Sequence, residues 1–419
     1  YAASLYARKG FLLATSNNVM TVYNTSNVLR TIPRLISSHA FKNAIPRMSV
    51  SPGDAGTSTG WFGSHSSVKS TGTAKDHAVF SSFSVLAKDK IPDESIYAIL
   101  LKNTDWEIVS IDRLDYSGNL NRFSHMLKDY DEATKKRVKI IYHDLKSEVN
   151  NLLESQIRDV KHIFHLAASS HVDRSITEPM TFVYDNVVAT GNLLNYSRNL
   201  DNLETLVYFS TDEVFGPAPE GVSFKEWDRY NSTNPYSATK AGGEELAVAY
   251  ENTYNLPIYI THTMNVFGER QHPEKYIPMC IKRARDGETI TIHSDSTKTI
   301  PGSRHYIHAE DVASAVLFLL NYKGTFEPTW GNAKCPKFNI VGSEELNNLE
   351  LAQIIADAQG KELKYELVDF HSSRPGHDLR YALDGDKMKQ LGWEPAKSVR
   401  ERIADVTRWT LKNKRWISL

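Results

Sequence analysis

The sequence predicts an α/β fold built on a doubly wound parallel sheet, with a smaller C-terminal lobe. Three observations lead there. From about Ala78, continuous apolar runs of strand length alternate with helical patterns, as they do when a sheet is buried on both faces. Beyond about residue 270 the rhythm changes to helices mixed with short strands. Between Phe209 and Lys240, polar chemistry gathers at the end of one apolar run and on the helix that follows it.

Taken in order, residues 1–77 read as a leader and linker. Residues 1–53 hold no Asp or Glu but do hold Arg8, Lys9, Arg30, Arg34, Lys42 and Arg47. An Arg-bearing, Ser-rich, acid-free leader has the character of an organellar transit peptide; a disordered tail or translated non-coding sequence is the other reading. Residues 54–80 are rich in Gly, Ser and Thr without a period, as linkers are. Strands are expected at 79–87, 106–112, 138–144, 160–168, 205–210 and 257–264, with helices at 94–103, 147–157, 180–199 and 236–254. This gives a dinucleotide-type domain over 78–270. The lobe over 271–419, interleaved with that domain, carries helices near 277–286, 310–322, 347–359 and 398–412. Its short strands are ETITIH, KFNIV and KYELVD.

Composition excludes several classes. A chain of 419 residues can bury a large core. With 49 basic and 50 acidic residues, no general attraction to nucleic acid or anionic membrane follows. Cys280 and Cys335, the only cysteines, make neither a disulfide framework nor a Cys-rich zinc site, and no metal is expected. No apolar run approaches the roughly 20 residues of a transmembrane helix.

The stretch 209–240 carries the chemistry. Thr211, Asp212 and Glu213 follow the apolar run TLVYFS, and Tyr236 and Lys240 stand four apart, hence on one helix face. An ammonium beside a phenol favours the phenolate, so Tyr236 is a candidate base. STDEVFG followed by PYSATKA resembles the extended short-chain dehydrogenase/reductases, and among them the nucleotide-sugar 4,6-dehydratases. The resemblance covers about residues 96–419 and implies a Rossmann-type fold, NAD as cofactor, a nucleotide-diphosphate hexose as substrate, a cytoplasmic homodimer, and no nucleic-acid or membrane partner.

A dinucleotide site needs glycines after its first strand, because side chains there keep the pyrophosphate from the helix N-terminus. Two placements exist. Gly60 and Gly63 in GTSTGWFGSH resemble the family loop, but Thr57 stands for its first glycine and no apolar strand precedes it. Counting back from LLKNTDWEIVSIDRLDY makes SFSVL the first strand and puts Ala87, Lys90 and Asp93 at the glycine positions. The second placement is preferred, so the phosphate loop is altered. The remaining cofactor positions match. Asp112 ends the second strand, where a carboxylate accepts from ribose hydroxyls. The resemblance adds Asp144 and Leu145 at the adenine, Ala167, Ala168 and Ser170 from HLAASSHVDRSI at the nicotinamide half, and Tyr236 with Lys240. His165 reads as a packed core residue.

The resemblance also implies an internal redox cycle. Tyr236 removes the C4 hydroxyl proton while NAD takes the C4 hydride, and Thr211 holds that hydroxyl. Glu213 removes the C5 proton, Asp212 protonates the departing C6 hydroxyl, and the hydride returns to C6. Adjacent carboxylates acting as acid and base need different environments. Substrate contacts carry over to Asn265 and Lys275 in MNVFGERQHPEKYIP, Arg304 in GSRHYIHAEDVA, Asn339 in KFNIVG, and Arg374 with His377 in SRPGHDLRYALD. An epimerase or decarboxylase of the same fold is opposed by the Asp-Glu pair. A cofactor-free paralogue acting as a binding protein is favoured by the altered loop and opposed by the intact catalytic set.

Overall fold

The structure, a computed structural model, describes residues 12–16, 19–23, 77–81, 93–114, 120–326, 335–369 and 379–417. The chain divides into Tyr1–Thr71 and Gly72–Leu419. In the first unit the described residues form an antiparallel hairpin, β1 (Leu12–Ser16) with β2 (Val19–Tyr23), pairing Leu12 with Tyr23 and Ser16 with Val19. The leader reading did not foresee it.

The second unit is built on a seven-stranded, wholly parallel sheet. Its members are β3 (His77–Ser81), β4 (Glu107–Asp112), β5 (Val138–Tyr142), β6 (His162–His165), β7 (Thr205–Thr211), β8 (Ile258–Thr263) and β12 (Lys337–Ile340). The spatial order is β12-β8-β7-β6-β3-β4-β5. Burial follows that order: every residue of central β7 is buried, whereas edge strand β5 exposes Ile140 and Tyr142. The chain leaves β3 toward β4 and β5, then returns to lay β6 on the other side of β3. The strand ends beside β3 are therefore the topological switch point at which such sheets bind ligands.

Helices cover both faces. Asp93–Asn103, Leu120–Leu127 and Ala309–Asn321 pack on one side through Tyr97, Leu100, Val312 and Val316, with Phe164, Val207 and Phe338 from the sheet. Asn151–Ile157, Ala189–Ser197 and Pro235–Tyr254 pack on the other through Leu153, Leu193, Leu194 and Ala247 against Ile163, Leu206 and Ile260. Each such buried aliphatic or aromatic side chain contributes about 1.5–3 kcal/mol.

Two sequence expectations change here. The first strand is His77–Ser81 rather than SFSVL, and it pairs Phe80 with Ser110 and with Phe164. The apolar run outlasts the strand, so periodicity alone left the strand's position open. The KFNIV strand joins the main sheet instead of the lobe, pairing Phe338 with Thr261. The lobe contains β9 (Asn265–Phe267), β11 (Ser303–His308) and β13 (Glu345–Asn347) in one sheet, and β10 (Ile290–Ser294) parallel to β14 (Tyr365–Asp369) in another. Helices Tyr276–Asp286, Asn348–Ala358 and Val399–Lys412 share its core. Among the described residues, no helix is long and apolar enough to cross a membrane.

Candidate active site

The site is assembled at the C-terminal end of β7. Thr211 ends the strand in extended conformation and caps the 3-10 turn Asp212–Phe215, its Oγ1 accepting from Glu213 N at 3.2 Å. The same hydroxyl donates to Asp212 Oδ1 at 3.1 Å. Gly216 closes the turn at φ 76°, and a Cβ there would lie 2.3 Å from Asn231 O, so glycine is required.

Helix Pro235–Tyr254 faces this turn. Asn234 caps it in a reciprocal capping box with Ser237, and Pro235 occupies its first turn, where a missing N–H costs nothing. Asn234 Nδ2 also donates to Glu213 Oε2 at 3.4 Å. Gly243 lets the helix approach the sheet closely: a Cβ would meet Tyr208 Oη at 2.4 Å and Asn186 O at 2.7 Å. That approach buries Tyr236 and Lys240 at the strand ends.

The electrostatics differ from the sequence expectation. Lys240 Nζ donates to Phe209 O at 2.6 Å and lies 4.3 Å from the centre of the Tyr208 ring. Burial pushes the Tyr236 phenol well above its usual value and the Glu213 charge adds to this, while a hydrogen bond with Thr211 opposes it. His165 fulfils its reading as a core residue: fully buried, 2.9 Å from Thr190 Oγ1, and lowered to about 3 by burial and then by Lys240.

The two carboxylates do occupy different environments. Asp212 is 2% exposed, whereas Glu213 is half-buried and opens onto a cavity of about 230 Å³. Ser170, Asn265, Lys275 and Arg304 line the same cavity. Arg304 Nη1 donates to Ser303 O at 2.6 Å and Leu379 O at 2.7 Å, and its guanidinium stacks 4.6 Å over Tyr381. Lys275 precedes helix Tyr276–Asp286 as its cap residue. Thr211, Asp212 and Tyr236 do not line the cavity.

Asn339 is a correction. Its side chain is fully buried, donating to Phe224 O at 2.9 Å and Asp384 O at 3.0 Å while Oδ1 lies 3.1 Å from His262 Nδ1. Its hydrogen-bonding capacity is taken up within the core, and it does not line the cavity. Arg374 and His377 lie outside the described residues, as do Gly60, Gly63, Ala87 and Lys90; nothing of the Asp93 side chain is described.

At the switch point, Asp112 is 3% exposed and accepts from Leu114 N at 2.6 Å. Ala167 and Ala168 are buried at the end of β6. Asp144 pairs with Lys146 at 3.2 Å, and Leu145 O accepts from Asn192 Nδ2 at 2.8 Å. The sequence reading did not single out Arg113 and Asp185, which form a frame behind them. Arg113 forks onto Asp185 at 2.8 and 3.0 Å, and Ser169 Oγ donates to the same carboxylate at 2.7 Å. Burial pushes Asp185 up, but Arg113, Ser169 and Lys146 outweigh it and hold the carboxyl low. Neighbouring Asn186 accepts from Ser169 N at 2.5 Å and donates to Ser169 O at 2.9 Å. A π turn, Tyr184–Val188, lets successive residues 185 and 186 both point inward. Gln271, Tyr276, His293, Tyr306, Asn348 and Tyr381 also line the cavity. Gln271, Tyr276, Tyr306 and Tyr381 sat inside recognised motifs; His293 and Asn348 come from segments with no such motif.

Comparison with known proteins agrees with this layout. Residues 94–406 match the GDP-mannose 4,6 dehydratase family. The low-salt glycan biosynthesis protein Agl12 of Haloferax volcanii is 37% identical over 296 residues, covering 71% of this chain and 87% of that protein. The dTDP-glucose 4,6-dehydratase of Salmonella typhimurium is 33% identical over 344 residues, covering 76% and 90%. The crystal structure of DesIV, a dTDP-glucose 4,6-dehydratase from Streptomyces venezuelae with NAD and TYD bound, superposes with a TM-score of 0.68 at 30% identity, covering 82% of this chain and 99% of that one. The chain belongs to the nucleotide-sugar 4,6-dehydratase family.

Proposed function

We propose that this chain is an NAD-dependent nucleotide-sugar 4,6-dehydratase acting on a dTDP- or UDP-hexose. One observation carries the reading: the Thr211-Asp212-Glu213 turn faces Tyr236, and Glu213 opens onto a cavity that also holds the cationic side chains of Lys275 and Arg304. The donor set suits the parts of such a substrate. Guanidinium and ammonium groups match a diphosphate, and a carboxylate on the same wall reaches a sugar carbon acid.

The residues at the switch point fit a dinucleotide. Buried Asp112 offers a carboxylate to ribose hydroxyls, Ala167 and Ala168 keep the end of β6 small, and the family resemblance gives Asp144, Leu145 and Ser170 to the same cofactor. NAD, when bound, supplies the hydride acceptor and donor. Tyr236 takes the proton of the C4 hydroxyl, with Thr211 orienting that hydroxyl. Once C4 is a ketone the C5 proton is acidic and Glu213 removes it. Asp212 gives a proton to the C6 oxygen as it leaves. The partly open site of Glu213 and the enclosed site of Asp212 supply the different environments these roles need.

A cofactor-free binding protein is a second reading, favoured by residues 82–92, which connect β3 to its helix and contain no glycine. The test is incubation with NAD and either dTDP-glucose or UDP-glucose, with chromatographic detection of a 4-keto-6-deoxy product. Product from one of them supports the dehydratase. Intact substrates, with no heat of NAD binding by calorimetry, would favour the second reading.

A further inference from the structure

The catalytic turn is fixed at both ends by a buried polar row that takes no part in the proposed chemistry. Ser210, His262 and Asn339 are direct neighbours across three parallel strands: Ser210 pairs with His262 between β7 and β8, and His262 with Asn339 between β8 and β12. Glu244, on the helix that carries Tyr236 and Lys240, reaches down onto this row and is fully buried. Ser210 Oγ donates to Glu244 Oε2 at 2.6 Å, and His262 Nε2 lies 3.1 and 3.2 Å from its two oxygens. Asn339 Oδ1, 3.1 Å from His262 Nδ1, extends the row. Lys337 Nζ, 2.8 Å away, and the Tyr230 hydroxyl close the shell around the carboxylate.

This shell touches the turn on both sides. Ser210 immediately precedes Thr211. At the far end, the Phe215 ring stands edge-on to His262 at 4.9 Å and to Tyr230 at 5.3 Å. Thr211, Asp212 and Glu213 thus lie between two residues held by one carboxylate and its histidine. The carboxylate comes from the same helix as Tyr236, two turns further on, so one rigid element fixes both halves of the site.

We propose that Glu244 is a positioning residue, and that the Ser210–Glu244–His262 row sets the distance between the Thr211–Glu213 turn and Tyr236. It acts on geometry and touches neither substrate nor cofactor. The claim about turnover rests on the dehydratase reading; the claim about the turn does not.

The test uses the full chain with Ser210→Ala, which removes only the strut, and Glu244→Gln, which keeps the shape and loses the charge. Ser210→Thr restores the hydroxyl. Misplacement of reacting groups by about an ångström costs on the order of a hundredfold in rate. The expectation for Ser210→Ala is a fall in kcat of about ten- to a hundredfold with KM and NAD affinity unchanged, and partial recovery in Ser210→Thr. Amide hydrogen exchange at 211–216 should rise by about tenfold in Ser210→Ala while the flanking helices keep their protection. Unchanged kcat and unchanged exchange in both Ser210→Ala and Glu244→Gln would overturn the proposal. So would a uniform rise in exchange across the sheet, which would mark a merely structural role. If the unaltered chain turns over no nucleotide sugar, the dehydratase reading fails and the exchange measurement still decides the positioning claim.

Discussion

Glu213 and Tyr236 carry different burdens although they face each other. Tyr236 is sealed in, and burial together with the Glu213 charge pushes its phenol up, with the Thr211 hydrogen bond opposing them. Glu213 meets the cavity, and in the proposed mechanism it is the base for the substrate carbon acid. Glu213→Gln should therefore lower turnover by about 10²–10⁴-fold while nucleotide binding, measured by calorimetry, stays within experimental error. Gly216 makes a separate demand. With φ at 76° and a would-be Cβ 2.3 Å from a backbone oxygen, Gly216→Ala strains the turn, and urea unfolding should report a loss of about 1–3 kcal/mol. Glu213 was legible in the sequence because STDEVFG is contiguous. The tyrosine's electrostatics were not, because spacing puts Lys240 on the right helix face but says nothing of the Phe209 carbonyl that receives its ammonium.

Among elements, helix Pro235–Tyr254 joins the site to the sheet. Its Glu244 is pushed up by burial, but His262 and Lys337 outweigh this and its folded pKa lies far below the ordinary 4.5. A depressed carboxylate adds stability that is present above its unfolded value and is lost as pH falls toward the folded one. Stability to urea should thus decline below about pH 5, and Glu244→Gln should flatten that slope at the expense of stability near neutrality. A glutamate in an otherwise ordinary helical pattern gave no hint of this, since its partners arrive from β7, β8 and β12. The β3 segment failed for a different reason. Its apolar run is longer than a strand, and only pairing with Ser110 and Phe164 fixes which residues belong to the sheet.

For the whole molecule, alternation of apolar runs and helices was enough to reveal a doubly wound sheet, but not that β12 returns to it. The cavity was half legible: Asn265, Lys275 and Arg304 lie in motif-like segments, whereas His293 and Asn348 meet them only through the fold of the lobe. One surface feature bears on assembly. Ile176, Met180, Tyr184 and Val188 recur every fourth residue and are 43%, 57%, 50% and 38% exposed. We propose that, if the chain pairs with a copy of itself, these residues form the contact. Met180→Glu with Tyr184→Glu should convert a dimer to a monomer by light scattering; an unaltered mass would place the contact elsewhere.

The most direct test is the reaction run in deuterated water with the hexose followed by NMR. Removal of the C5 proton by Glu213 requires a 4-keto-6-deoxy product carrying solvent deuterium at C5. A product inverted at C4 with its C6 hydroxyl intact, or a substrate unchanged in the presence of NAD, would contradict the account.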